Sequence, residues 1–166
     1  GVMLLGTLQG IVVAIVISLL ALGQQTANPP VYVLSRKPGT NVFRPRSDDH
    51  PDDESFPGLL LLRLEGRVFF VNAQRIAEKI RPLFDAASAK VVVLDLSGVF
   101  DLEYSALKML TEAEQRWREA GVMLWLAGLT PDVYALVRRS PLGGALGEER
   151  LFFNLEMAVA KYQARN

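Results

Sequence analysis

The sequence contains no cysteine, which excludes structural disulfides, thiolate chemistry and zinc sites built on cysteine. It has one histidine, His50, set among acids and prolines with nothing apolar around it to order a Ser-His-Asp site. It has no net charge, since 18 basic and 18 acidic residues cancel. Without a basic excess it lacks the footprint of a nucleic-acid binder, and no nucleic-acid partner is expected. No GxxxxGK[ST] loop, GxGxxG turn, HExxH helix or GxSxG elbow occurs. No catalytic residue is therefore assigned, and neither a cofactor nor a metal is expected.

A further absence is one of position. Residues 1–35 contain no Asp, Glu, Lys, Arg or His, so every charge lies beyond Ser35. Within that lead, residues 1–23 are long enough to cross a hydrocarbon layer of about 30 Å at about 1.5 Å per residue. Residues 11–22 hold nine Ile, Val or Leu, which favour insertion by about 4 kcal/mol. Gly6 and Gly10 have the small-xxx-small spacing of membrane helices that approach closely. A secretory signal would need a basic n-region, which is missing. A buried helix of a soluble core is the other alternative, although apolarity all round is unusual for one. The polar exit 24–30 ends in Pro29-Pro30, which cannot continue a helix.

The remaining chain alternates strands and helices. Residues 31–34 and 42–43 are short strand candidates around a Pro38-Gly39 turn. Residues 44–58 carry five acids and several prolines. Asp48, Asp49, Asp52, Asp53 and Glu54 supply the oxygens a Ca²⁺ site would need, but without the ligand order of an EF-hand. The segment is read as a solvated, mobile loop. Strands are expected at 59–64 and 68–71 around a Glu65-Gly66-Arg67 turn, then a helix over 73–84 capped by Asn72 and stopped or kinked at Pro82.

KVVVLDL at 90–96 reads as a strand covered on both faces. The helix over 104–120 carries an apolar stripe through Ala106, Met109, Leu110, Ala113, Trp117 and Ala120. Glu112–Arg116 and Glu114–Arg118 are expected as pairs on its wet side. A buried strand follows at 122–127, so Trp117 and Trp125 should both be buried. Thr130-Pro131-Asp132 starts another helix, ending near Ser140-Pro141. Gly143 and Gly144 mark a turn, 151–153 an edge strand, and Asn154 the cap of a last helix. This order implies a mixed α/β fold with parallel strands and right-handed crossovers.

The chemistry-bearing stretch is DLSGVFDLEYSAL at 95–107. A buried strand ends there and feeds a helix, and both strand carboxyl ends and helix N-termini attract ligands. Ser97, Gly98, Asp101, Glu103, Tyr104 and Ser105 form a candidate contact or modification surface. The alternative is a tight strand-to-helix connection, with Gly98 for backbone freedom and acids at the positive helix end.

Together with FFVNA at 69–73, PGTNVFR at 38–44 and the apolar helix ahead, this stretch resembles the STAS domain of sulfate transporters and anti-sigma-factor antagonists, in particular that of SulP-type anion permeases. The resemblance implies a STAS-like mixed sheet with flanking helices. It divides the chain into a last transmembrane helix (1–23), a linker and first strand (24–37), and a cytoplasmic STAS domain (38–166). It implies a regulatory role in a multi-pass cell-membrane transporter of sulfate, bicarbonate or a related anion. The implied partners are the membrane domain of the same transporter, a homodimer mate, and a protein or nucleotide at the turn 95–107. In the antagonist branch this turn resembles Asp-Ser-Ser-Gly-Leu, whose first serine is phosphorylated. The matching run here is Glu103-Tyr104-Ser105-Ala106-Leu107, which puts Tyr104 at that position and leaves Ser105 as the neighbouring hydroxyl. A membrane-tethered signalling module of the antagonist type is the alternative, and a small enzyme at the strand ends is a third reading.

Overall fold

In the computed structural model, which describes residues 2–68 and 70–165, the uncharged lead is a single helix, α1 (Val2–Ala27). Its apolar stretch Met3–Leu22 is long and apolar enough to cross a membrane, and none of it is buried. Apolar residues surround it on all sides because the lead has no polar face to turn outward.

The sheet begins at β1 (Val31–Arg36), directly after Pro29-Pro30. It continues with β2 (Phe43–Pro45) and β3 (Leu59–Val68), then α2 (Phe70–Ala87), β4 (Val91–Leu102) and α3 (Tyr104–Glu119). After β5 (Met123–Ala127) come α4 (Pro131–Arg138), α5 (Pro141–Leu146), a 3₁₀ turn (Glu148–Arg150), β6 (Leu151–Phe152) and α6 (Leu155–Arg165). The strand order is β2-β1-β3-β4-β5-β6. Strands β3 to β6 are parallel, and β1 and β2 are antiparallel additions at one edge.

Helices α2 to α5 bury Ile76, Ile80, Leu107, Val133, Val137 and Leu142 on one face of the sheet. Helix α6 covers the other face with Leu155, Ala158, Val159 and Tyr162. With both faces covered, Val91, Val92, Val93 and Leu94 are all buried, as a continuous apolar run requires. Trp125 is buried against Phe152. Trp117 is only half-buried and stacks on Phe84, linking α3 to α2.

Several local expectations are corrected. Glu65-Gly66-Arg67 is not a turn: β3 runs through it to Val68, still paired with β4, with register shifts between Arg63 and Glu65 and between Gly66 and Arg67. Gly66, at φ 91°, takes up the irregularity. The chain then enters α2 at Phe70, and Phe69 lies outside the described residues. Asn72 is not a cap but lies in the first turn of α2, fully buried, its Nδ2 donating to the Arg67 carbonyl at 2.8 Å. Helix α2 passes through Pro82, which offers no N–H to the Glu78 carbonyl, and both residues are exposed. Gly143 and Gly144 lie inside α5 rather than in a turn, because Ser140 caps that helix by accepting from Gly143 N.

Glu114 is not on the wet side of α3. It lies two turns after the buried Leu107, on the same face, and is 2 % exposed. Arg150 and Arg118 approach it at 3.6 and 3.8 Å.

The acidic loop is tied down rather than free. Arg36 and Glu54 exchange backbone hydrogen bonds and an ion pair at 2.7 Å, and Arg44 holds both oxygens of Asp53 at 2.7 Å. Two acids a metal would need are thus engaged by arginines. Hydrogen bonding from Arg44 holds the Asp53 carboxyl below the ordinary carboxylate range, against the opposing cost of burial, with the charges of Arg44, His50 and Lys37 adding to the fall. A carboxyl lowered on folding stabilises the fold above its unfolded pKa of about 3.9, and that contribution is lost as pH falls through the lower folded value. The melting-temperature gap between the native chain and Asp53→Asn should hold steady from about pH 7 to 5 and close below about pH 4. A gap independent of pH would show that the pair is not formed in solution.

Candidate functional site

The register between β1 and β3 sets the geometry of the turn. Val31 pairs with Leu64, so α1 joins the sheet at the end where β3 and β4 finish. Past that point β3 and β4 continue as a two-stranded ribbon, Glu65 to Val68 against Gly98 to Leu102. Four residues carry the ribbon about 13 Å beyond the start of β1. The strand assigned to 90–96 is therefore longer than its apolar run suggests, and the turn is strand as far as Leu102.

Ser97 and Gly98 sit at the base of this ribbon. Asp95, 3 % exposed, accepts from Arg63 Nε at 2.9 Å and from the Ser97 backbone N–H at 3.0 Å. A Cβ at Gly98 would stand 3.0 Å from Glu65 Cγ and 3.3 Å from the Leu64 carbonyl, so glycine lets β4 lie this close to β3. Asp101 and Glu103 come together at the tip, where Arg67 donates to Asp101 at 2.7 Å and to Glu103 at 3.4 Å. Glu103 occupies the N-cap position of α3 without a side-chain cap bond. Tyr104 follows at 70 % exposure, and Ser105 is half-buried beneath it.

These residues do not form one pocket. Ser97 lines a cleft of about 270 Å³ with Arg63, Asp95, Gly128 and Asn154. Tyr104 lines a separate one of about 230 Å³ with Leu107, Lys108, Ser140 and Pro141. Among the described residues neither the Ser97 nor the Ser105 hydroxyl is hydrogen-bonded to a carboxylate or imidazole, so neither has a base to activate it. No group of three or more metal-ligating side chains occurs among the described residues.

Two contributors were missed from the sequence. Arg67, read as part of a turn, clamps the two acids. Phe100 is 69 % exposed beside Tyr104's end of the ribbon. Strict alternation past Leu96 would put Phe100 on the face of Leu96 and Leu102; it is the two register shifts against β3 that turn Val99 inward and Phe100 outward, and these have no local signal in the sequence.

Residues 50–158 match the model of the STAS domain, and the chain belongs to that family. It is 29% identical over 163 residues to high affinity sulfate transporter 2 of Stylosanthes hamata, covering 92% of this chain and 24% of the relative. Among solved structures, the murine Slc26a9 anion transporter in its inward-facing state superposes with TM-score 0.79 at 19% identity, covering 94% of this chain and 26% of that one. The SulP transporter STAS domain from Vibrio cholerae gives 0.56 at 19% identity over 70% of this chain and 92% of that one. The unphosphorylated anti-sigma factor antagonist SpoIIAA gives 0.55 at 13% over 67% and 93%. These likenesses show a fold common to both branches. The chain spans about a quarter of the length of the sulfate transporter it matches, a protein named for transport and not for catalysis.

Proposed function

We propose that this chain is the carboxyl-terminal part of a SulP-type secondary anion transporter. Residues 1–23 supply its last membrane helix, 24–37 the linker and first strand, and 38–166 a regulatory STAS domain facing the cytoplasm. One observation carries the reading: a fully exposed apolar helix of membrane length leads directly into the first strand of a STAS sheet. The match to the sulfate transporter extends over 92% of the chain, more than the domain alone. Charge supports that orientation. Arg36 and Lys37 follow Leu22 within about 15 residues, no acid occurs before Asp48, and basic residues flanking a membrane helix favour the cytoplasmic side. The transported anion, sulfate, bicarbonate or a relative, would be selected by membrane segments outside this chain.

The ribbon is the docking surface for the membrane domain of the same transporter. It projects from the sheet end that α1 enters and presents Phe100 and Tyr104 beside a clamped Arg67. A polyphosphate nucleotide is disfavoured at its tip, where two acids face one arginine. Phosphorylation at Ser105 would add about −1.5 to −2 charge near those acids and compete for Arg67. The signalling-module alternative draws on the fold shared with SpoIIAA, and Tyr104 at the phosphoacceptor position counts against it.

In the intact transporter, Tyr104→Ala and Ser105→Glu are expected to change the transport rate several-fold or abolish docking on the membrane domain. Both sites lie at the surface end of α3, so the melting temperature should stay within about 4 °C, the shift of roughly 1 kcal/mol in a domain of this size. Normal rates and normal docking in both variants would reduce the turn to a structural connection. Loss of a partner kinase interaction with transport unchanged would favour the signalling module.

A further inference from the structure

We propose that the slot between α2 and α3 binds a small amphipathic anion, a medium-chain carboxylate, with its apolar chain between the helices and its carboxylate held by Arg116. The slot is a cavity of about 90 Å³. Leu94 and Leu96 of β4 form its floor, Ala73 and Ala77 of α2 one wall, and Met109 and Ala113 of α3 the other. Alanines on both facing helices are too short to meet across the gap. At the far end, the Phe84–Trp117 stack, with ring centroids 5.6 Å apart, props the helices apart.

Arg116 is the one charged residue lining this cavity. Its side chain is exposed and carries no ion pair among the described residues, since the helical pairing with Glu112 is not formed. An apolar wall with a lone unpaired cation at its rim selects among ligands. A neutral hydrocarbon leaves the guanidinium unused, a cation is repelled, and sulfate has no apolar part to bury. A carboxylate on an alkyl chain uses both features, with two oxygens matched to the guanidinium fork. From Ala106 to Trp117 the lining spans about 16 Å of α3, while the enclosed 90 Å³ takes only about three methylenes, so the rest of a medium chain lies along the open part of the groove. The proposal does not depend on the transport reading, because it concerns the helical face alone.

The test uses the full chain in lipid nanodiscs with ¹³C-methyl methionine, titrated with straight-chain carboxylates from butanoate to dodecanoate. The Met109 methyl should shift saturably while the exposed Met157 does not. Affinity should rise about fourfold per added methylene and then level off once the slot is full. Arg116→Gln should weaken octanoate about tenfold and leave octanol unchanged. Ala113→Leu should abolish binding by filling the slot, and Ala77→Met does the same from the other wall should the first variant misfold. The proposal is overturned by a Met109 methyl that does not move or by octanoate affinity unchanged in Arg116→Gln. Affinity that climbs with chain length without levelling off overturns it too, because that is partition into the bilayer only.

Discussion

Removing residues 1–28 is expected to turn a protein that partitions into lipid or detergent into a soluble, folded domain. The side chains of Met3, Leu4, Leu19, Leu20 and Leu22 are each at least 60 % exposed, and the apolar stretch packs none of its surface inside the protein. The core lies entirely beyond the deletion, since the sheet starts at Val31 and both apolar clusters begin there or later. Even the polar contact nearest the junction survives, because Lys79 donates to the Pro29 carbonyl at 2.8 Å. The insertion free energy of about 4 kcal/mol corresponds to roughly a thousandfold in partitioning. Ultracentrifugation without detergent should leave the truncated protein in the supernatant with a cooperative melt, and sediment the full chain. Should the truncated form aggregate while the full chain stays soluble, α1 belongs to the domain core and the boundary is misplaced.

What could be read from the sequence follows from how local each signal is. The uncharged lead, the continuous apolar runs of β4 and β5, and the side-chain caps Thr130 and Asn154 depend on residues within a turn or two, and they stand where expected. The family resemblance rested on such local motifs and was enough to place the chain. The candidate site was only half legible. Tyr104 and Ser105 do begin a helix, but the stretch before them is ribbon rather than loop. Glu65-Gly66-Arg67 has turn composition, and only its pairing with Gly98, Val99 and Asp101, more than thirty residues away, keeps it extended. Arg67 gains its partners Asp101 and Glu103 through that same distant pairing. Glu114 misled for a similar reason. Its i,i+4 spacing to Arg118 is genuine, but packing of α5 and the 3₁₀ turn against α3 closes over it and brings in Arg150. The acidic loop looked free because its arginine partners are nine to eighteen residues away.

The two glycines of α5 should respond in opposite directions to the same substitution. Gly143→Ala is expected to destabilise the domain by about 2 to 4 kcal/mol, a melting point lower by roughly 10 °C. A Cβ there would collide with the Val137 carbonyl and stand 2.8 Å from Arg138 Cα and 2.9 Å from the Arg138 carbonyl. These are backbone atoms at the end of α4, so no side-chain rotation relieves the clash, and α5 must move away. Leu142 and Leu146, buried on either side of Gly143, would be drawn out of the core with it. The Ser140 hydroxyl, which donates to Val137 at 2.6 Å and accepts from Gly143 N at 3.3 Å, would lose its place at the corner. Gly144→Ala meets nothing within 4 Å and sits in helical backbone. There the methyl only restricts the unfolded chain and improves helix propensity, a gain of about 0.5 to 1 kcal/mol. Urea midpoints of the truncated domain measure both. Equal effects from the two variants would mean that α4 and α5 do not pack backbone to backbone at this corner.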